Sequence, residues 1–441
     1  MDLALQLTWY WQPVAGTINQ FVATGSLKAM LTLNPASQAR DPARSPRIGL
    51  AIAGGGPLGA IYELGALQAL NEGIDGIRLH ELDNYVGVSA GAFLAASLAN
   101  QVTTTQMCRI FMGSADAEFA FEPESFLRPA FGEYLRRAGN IPGAVLDLLG
   151  EATCHPHRIT RLESMGGLSR ILPTGLFDNR TIEKFVAEVL SRPGRTNDFR
   201  KLTATLRIVA VDLDSGQAVR FGEPDSADVP ISEAVQASAA LPGLYPPVRI
   251  RGHYYVDGAL RRTLHASVAL KDGVDLLIGI NPLVPFDADA RDDPEPAVRE
   301  SRMIRGGLPR VLSQTFRALI QSRMQIGISK YATEFPAASI LLIEPNRNDE
   351  LMFFTNLFSY ASRSRLAEHA YQVTRTELLQ RADDLDRFLA PYGLGLDRTA
   401  LGEERSLFSS MKLEPAYLAP VGNNLARVLE RLERTLDGLA S

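Results

Sequence analysis

Two short apolar runs near the start of the chain each pass through a tight turn directly into a helical pattern. The first run, 47–53, stops at Gly54, and 58–71 follow with helical spacing. The second run, 84–87, leads into 90–99, which has the alanine and leucine content of a buried helix. Repeated units of this kind predict a mostly parallel sheet with helices on its faces. Ligand sites in such sheets lie at the carboxyl ends of the strands.

The same alternation returns later in the chain. Further strands are predicted at 202–211, 217–221, 249–256, 274–280 and 339–343, and further helices at 231–240, 311–330, 362–389 and 423–437. Residues 113–180 show no strand pattern and are predicted to be an inserted helical cap. We therefore expect a three-layer α/β/α domain at 47–281. An N-terminal amphipathic segment, 1–46, precedes it, and a mainly helical extension with one further strand, 282–441, follows it.

Composition narrows the possible functions. Apolar residues make up 46% and charged residues 22% of the 441 residues, which is ordinary for a globular protein. The 45 basic and 50 acidic residues give a net charge of -5, so a nucleic acid is not an expected partner. Two cysteines, Cys108 and Cys154, form neither a disulfide framework nor a thiolate metal site. We expect a cytoplasmic protein without a metal or cofactor.

The N-terminal run 3–27 carries no charged side chain. Glutamine, proline and asparagine interrupt it, and the basic residues of a secretory signal are absent, so neither a membrane span nor a signal peptide is predicted. The run contains both tryptophans, Trp9 and Trp11, together with Phe21. Two interpretations stay open: peripheral contact with a lipid surface, and packing on the outside of the domain.

A serine lies at the turn between the second strand and the second helix. The pentapeptide from Gly87 to Gly91 reads Gly-Val-Ser-Ala-Gly, with Ser89 at its centre. In this context a GxSxG sequence forms a nucleophile elbow, in which the sharp turn exposes the serine and the glycines let neighbouring backbone pass. The pattern therefore predicts Ser89 as a nucleophile.

The glycine run from Gly54 to Gly59 follows the first strand and opens a helix. It is compatible with a dinucleotide site, with Asp75 as the acidic residue about 20 positions further on. It is also compatible with an oxyanion hole, in which the amides of Gly54, Gly55, Gly56 and Gly59 face a developing negative charge. The oxyanion hole is the more economical interpretation, because Asp75 lies in a glycine-flanked turn and a serine elbow follows on the next strand.

A serine nucleophile needs a group that accepts its proton. The chain order of serine, acid and histidine in α/β hydrolases would allow His265 or His369. Another candidate is Asp257, which is followed by Gly258 and ends a predicted strand. Its carboxylate is then expected at the same edge of the sheet as Ser89.

Together, the three blocks resemble the patatin-like phospholipases, whose hallmarks are a glycine-rich oxyanion loop, a GxSxG serine and a later Asp-Gly-Gly or Asp-Gly-Ala. The similarity covers about residues 47–281. It implies a patatin-type hydrolase with a catalytic dyad: Ser89 attacks an ester carbonyl, Asp257 takes and returns the proton, and amides near Gly55 and Gly56 hold the oxyanion. It also implies that no histidine, metal or cofactor takes part.

One position departs from this family pattern. Members usually carry Arg or Lys just before the last glycine of the oxyanion loop, whereas this chain has Leu58. The missing charge is expected to weaken anion stabilisation or phosphate recognition, while the backbone donors are retained because Pro57 removes only its own amide. The main expectation is hydrolysis of a long-chain acyl ester, with a phospholipid or lysophospholipid first. The alternatives are a weakly active lipid-binding scaffold and, less favoured, a nucleotide-binding protein.

Overall fold

The computed structural model describes residues 30–41, 43–112, 126, 128–130, 173–287, 304, 307–354 and 360–412. Several predictions lie outside these residues. They are the N-terminal run with Trp9, Trp11 and Phe21, most of the cap, Cys154, and the helix at 423–437.

The strands form one large sheet and one small pair. In chain order they are β1 Leu31–Asn34, β2 Ile48–Ile52, β3 Ile74–Asp75, β4 Asn84–Val88, β5 Thr205–Asp212, β6 Ala218–Phe221, β7 Val248–Ile250, β8 His253–Asp257, β9 Leu276–Ile280, β10 Ser339–Ile343 and β11 Gly395–Leu396. Among the described residues, nine strands share a sheet of order β1-β10-β9-β2-β4-β5-β8-β7, with β6 also paired to β5. The five strands from β10 to β5 are parallel, and the others pair antiparallel.

Helices cover both faces of this sheet. They are α1 Gly56–Gly73, α2 Ala90–Ala99, α3 Thr104–Phe111, α4 Arg180–Leu190, α5 Ile231–Ser238, α6 Ala266–Lys271, α7 Gly307–Glu334, α8 Glu350–Phe354, α9 Tyr360–Gln380, α10 Ala382–Leu389, α11 Arg398–Gly402 and α12 Leu407–Ser410. Alternate residues of β2 face opposite layers: Leu50 and Ile52 lie in the apolar cluster with α1, α2 and α9, and Ala51 lies in the cluster with α6 and α7. The mostly parallel, three-layer fold predicted from the sequence is confirmed. None of the described helices combines the length and apolar character that crossing a bilayer requires.

Some predicted elements differ from the observed ones. Residues 249–256, predicted as one strand, form a hairpin, because Arg251 and Gly252 have positive φ of 51° and 89° and turn the chain back between β7 and β8. The helix predicted at 362–389 is divided at Arg381 into α9 and α10. Strand β1 and helix α3 were not predicted. The position of β1 depends on pairing with β10, about 300 residues away, which leaves no local signal.

Candidate active site

Ser89 and Asp257 come together because two strands approach each other end to end along one edge of β5. Strand β4 runs parallel to β5 as far as Val88, which lies opposite Val209. The next residue of β5, Ala210, lies opposite Asp257, the last residue of antiparallel β8. Strand β6 occupies the other edge of β5. The residue that follows β4 and the residue that ends β8 therefore lie side by side.

The two side chains are in direct contact. Oγ of Ser89 donates a 2.6 Å hydrogen bond to Oδ2 of Asp257. The other carboxylate oxygen, Oδ1, accepts a 2.8 Å hydrogen bond from the amide of Ala259. Ser89 is 7% exposed and Asp257 is 2% exposed. Burial raises the pKa of Asp257 to about 6, although the hydrogen bonds from Ser89 and Ala259 act to lower it. This carboxylate is therefore a stronger base than an exposed aspartate and is still ionised at neutral pH.

The backbone of Ser89 has the strained geometry of an elbow, with φ 52° and ψ -125°. Its amide donates to Oγ of Ser238 at 2.8 Å, and Oγ of Ser238 donates to the carbonyl of Val209 at 2.6 Å. The last residue of α5 thus ties the elbow to β5. Sequence reasoning gave Ser238 no role, although it lies in the small-residue stretch that precedes Leu241-Pro-Gly.

The glycines of the serine and aspartate motifs are required by close packing. A Cβ on Gly87 would lie 2.6 Å from backbone of α2, and one on Gly91 would lie 2.3 Å from the carbonyl oxygen of Ala53. A Cβ on Gly258 would lie 2.2 Å from the carbonyl oxygen of Val209. These distances are far below van der Waals contact, so each position excludes a side chain.

The glycine loop after β2 lies against the serine. A Cβ on Gly54 would be 2.9 Å from Cβ of Ser89. The amide of Gly54 itself donates to the carbonyl of Thr263 at 3.3 Å. This contact joins the loop to the segment that follows Asp257.

The amides of the loop differ in availability. The amide of Gly59 donates to the carbonyl of Gly55 at 3.0 Å, as part of the first turn of α1. The amides of Gly55 and Gly56 have no hydrogen-bond partner among the described residues. A Cβ on Gly56 would meet no atom within 4 Å, so the side-chain position of this residue is open space. Of the four predicted oxyanion donors, Gly55 and Gly56 are therefore the unpaired ones.

Two helices begin at the site. Helix α1 starts at Gly56 and helix α2 starts at Ala90, directly after the elbow. The first amides of a helix lack intrahelical partners and carry a partial positive charge. The N-terminus of α2 therefore favours negative charge beside Ser89, and the N-terminus of α1 favours it beside the glycine loop.

The other candidate residues lie elsewhere or are engaged with other partners. Nε2 of His265 lies 3.3 Å from the carbonyl oxygen of Gly258, and burial lowers the pKa of this imidazole to about 4. Nε2 of His369 forms a 2.7 Å hydrogen bond with Oδ2 of Asp349. Asp75 lies in β3, outside the large sheet, and pairs with β11, so it does not hold the position that a ribose-binding carboxylate needs.

Two further features bear on the chemistry of the site. Leu58, at the usually basic position, is partly buried and packs against the apolar cluster of α1 and α2. Within the part of the chain that the structure describes, His, Cys, Asp and Glu form no group of three or more that could hold a metal ion.

Comparison with known proteins gives one family match and several distant structures. The model of the family described as "Patatin-like phospholipase" matches residues 50–270, which include all three motifs. VipD from Legionella pneumophila is 16% identical, with a TM-score of 0.34, over 81% of this chain and 71% of that chain. ExoU of the Pseudomonas aeruginosa type III secretion system, in complex with SpcU, is 15% identical, with a TM-score of 0.27, over 88% of this chain and 74% of that chain.

Proposed function

The chain belongs to the patatin-like phospholipase family, and we propose that it is a serine hydrolase that cleaves the carboxylic ester of a lipid. The family as a whole supports lipid acyl hydrolysis. The observation that carries the proposal for this chain is the 2.6 Å hydrogen bond between Ser89 and Asp257. These are two buried side chains, 168 residues apart in sequence, of the types that an acyl hydrolase uses.

In the proposed first step, Asp257 accepts the hydroxyl proton while Oγ of Ser89 bonds to the ester carbonyl carbon. The carbonyl oxygen becomes an oxyanion, which the amides of Gly55 and Gly56 stabilise. Collapse of the intermediate breaks the ester bond, and the leaving alkoxide takes the proton from Asp257. The acyl group is then attached to Ser89.

The second step repeats the first with water as the nucleophile. Asp257 takes a proton from water, hydroxide oxygen bonds to the acyl carbon, and the same amides hold the second oxyanion. Release of Oγ, reprotonated by Asp257, yields a free carboxylic acid and restores the enzyme. The raised pKa of Asp257 suits both directions of proton transfer near neutral pH.

An aromatic cluster next to the elbow supports a long acyl chain as the group transferred. Phe93 lies one helical turn after Ser89 on α2, and its ring centroid is 5.5 Å from those of Phe111 and Phe185. The ring of Phe126 lies 5.8 Å from Phe185 and extends the cluster. Phe93 and Phe111 are buried, so the partly exposed rings of Phe126 and Phe185 are the ones that an acyl chain would contact. Each methylene that leaves water against them contributes about 0.8 kcal/mol to binding.

A fluorophosphonate probe, which reacts with activated serines, tests the proposal together with a panel of phospholipid, lysophospholipid and triacylglycerol. The wild-type chain should be labelled and should release fatty acid, and Ser89→Ala should do neither. Ser97→Ala is the matched control, because Ser97 is a buried serine of α2 whose hydroxyl has no hydrogen-bond partner among the described residues. An unlabelled wild-type protein would favour a lipid-binding scaffold instead.

The dyad itself has a separate test. Asp257→Asn should reduce hydrolysis by about a thousandfold or more, because the serine loses its base. His369→Ala should leave the rate nearly unchanged, since this imidazole is paired with Asp349. The hypothesis of a dyad would be replaced by that of a triad if a folded His265→Ala or His369→Ala variant lost as much hydrolytic activity as Asp257→Asn.

A further inference from the structure

Helix α7 packs on the sheet with one face and exposes large aliphatic side chains on the opposite face. On the packed side, Ile320 and Met324 are buried. On the opposite side, Leu312, Leu319 and Ile326 are 58%, 62% and 57% exposed. Their seven-residue spacing places them in one line, which we call the outer row. A single exposed leucine is ordinary, but a line of three marks a binding surface.

Basic residues outnumber acidic residues on α7. Its sequence contains four basic residues, and the one acidic residue is Glu334, at the end of the helix. The whole chain, in contrast, carries a net charge of -5. Arg323 lies four residues after Leu319 and three before Ile326, so it is a direct neighbour of the outer row. Lys330 follows Ile326 by four residues and extends the basic edge.

Arg323 also lines a cleft with Arg261 and Arg262, which we call the arginine cleft. The cleft has a volume of about 430 Å³, and its remaining lining residues are Val211, Gly216 and Leu260. No carboxylate is part of this lining among the described residues. Asp212, which follows Val211 at the end of β5, already has hydrogen-bond partners: its Oδ1 accepts from the amide and the hydroxyl of Ser215, both at 2.8 Å.

The arginine cleft adjoins the candidate active site. Leu260 lies three residues after Asp257 in the same 3-10 turn. Thr263, three residues after Leu260, accepts a hydrogen bond from the amide of Gly54 through its carbonyl. The hydroxyl of Thr263 lies 3.2 Å from the sulfur of Met324 on α7. Arg261 and Arg262 therefore lie between Leu260 and Thr263, which are both close to the candidate active site. Helix α7 contacts the same segment through Met324.

We propose that the outer row and the arginine cleft together are the surface with which this protein docks on an anionic phospholipid surface. The aliphatic side chains enter the boundary between headgroups and acyl chains, and the arginines face phosphate groups. This arrangement presents the edge that holds Ser89 to the lipid. The proposal rests on the proposed function only in that the lipid is also the substrate.

The charge of α7 selects this occupant over two others. A second copy related by a twofold axis would bring the basic edges of the two α7 helices together, and like charges there repel. The uncharged N-terminal run 3–27 brings no negative group to the arginine cleft. Anionic headgroups satisfy both halves of the surface at once.

Flotation of the full-length Ser89→Ala protein with vesicles tests the proposal, because this variant binds lipid without consuming it. Vesicles of phosphatidylcholine with phosphatidylglycerol should be bound well, and vesicles of phosphatidylcholine alone poorly. The double variant L319S/I326S should lose about tenfold or more in affinity. Arg323→Gln, which removes a side chain without an ionic or hydrogen-bond partner among the described residues, should lose about fivefold.

Two matched controls should bind like the parent protein. Leu379→Ser removes an aliphatic side chain that is 41% exposed on α9. Lys271→Gln removes one charge on α6, ahead of β9 and so at the opposite edge of the sheet. Thermal unfolding midpoints close to that of the parent show that each variant is folded.

Other outcomes would overturn the proposal. Equal binding by all variants would place the lipid surface elsewhere. A wild-type dimer that L319S/I326S converts to a monomer, without vesicle binding by either, would assign the outer row to a second copy. A change in tryptophan emission in L319S/I326S without vesicles would assign it to the segment with Trp9 and Trp11. Vesicle binding by Ser89→Ala, with no hydrolysis of any ester by wild type, would refute the proposed function and leave this inference standing.

Discussion

At the scale of single residues, the proposed chemistry depends on the acidity of one carboxyl group. An exposed aspartate has a pKa of about 3.9 and is a weak base at neutral pH. Asp257 is buried at the end of β8, and its pKa rises to about 6. The hydrogen bond from Ser89 opposes this rise, because it stabilises the ionised carboxylate. The balance leaves a base that is ionised at pH 7 and close enough to that pH to release the proton again.

The pH dependence of hydrolysis follows from this pKa. Only ionised Asp257 accepts the serine proton, so kcat/KM should be constant above pH 7 and fall about tenfold per pH unit well below pH 6. The measurement is a pH profile with a soluble short-chain ester. A limb near pH 4, as for an exposed aspartate, would contradict the burial argument. Buried His265 should add no second limb near pH 6.5, because its pKa is lowered to about 4.

At the scale of helices and strands, the local patterns predicted much of the fold. The alternation of apolar runs, glycine turns and helical spacing gave the parallel core and placed Ser89 between β4 and α2. The end-to-end approach of β4 and β8 along β5 could not be predicted, because it depends on an antiparallel strand inserted from about 170 residues away. The hairpin at Arg251 was not predicted either, because arginine seldom adopts the positive φ that this turn requires.

Likewise, the glycine pattern predicted the loop but not the amides that are unpaired. Gly54 donates to Thr263, a contact that exists only once the segment after β8 has folded over the loop. Helix α7 was predicted as a helix at 311–330 and extends over Gly307–Glu334, yet its exposed apolar side was not predicted. Which side of a helix faces solvent depends on its partners, and those lie far away in the sequence.

The close packing of the elbow predicts a stability effect. Gly91→Ala places a Cβ 2.3 Å from the carbonyl oxygen of Ala53, so α2 must move away from β2. The free energy of unfolding should fall by about 1 to 3 kcal/mol, measured by urea denaturation. Gly402→Ala is the control, because a Cβ there meets no atom within 4 Å, and its free energy of unfolding should not fall. Equal stability of the two variants would show that the elbow has more room than this packing implies.

At the scale of the whole molecule, a chain with a negative net charge has a local basic surface. A protein with a net charge of -5 carries three arginines in the arginine cleft, and none of the described residues that line this cleft is a carboxylate. This cleft lies beside the edge of the sheet that carries Ser89 and Asp257, because Leu260 follows Asp257 in the same 3-10 turn. Overall negative charge opposes random adsorption to anionic lipid, so a local basic surface orients the molecule when it does approach.

This orientation predicts that salt affects two kinds of substrate differently. Raising salt from 0.1 M to 1 M shortens the screening length from about 10 Å to about 3 Å, which weakens attraction between the arginine cleft and a charged surface. Hydrolysis of anionic vesicles should therefore slow by about tenfold or more, whereas hydrolysis of a soluble uncharged ester should change little. Arg323→Gln should reduce the size of the salt effect on vesicles, and Lys271→Gln should not. An equal loss on both substrates would instead indicate that salt perturbs the dyad of Ser89 and Asp257 itself, because the soluble ester reports on chemistry without docking.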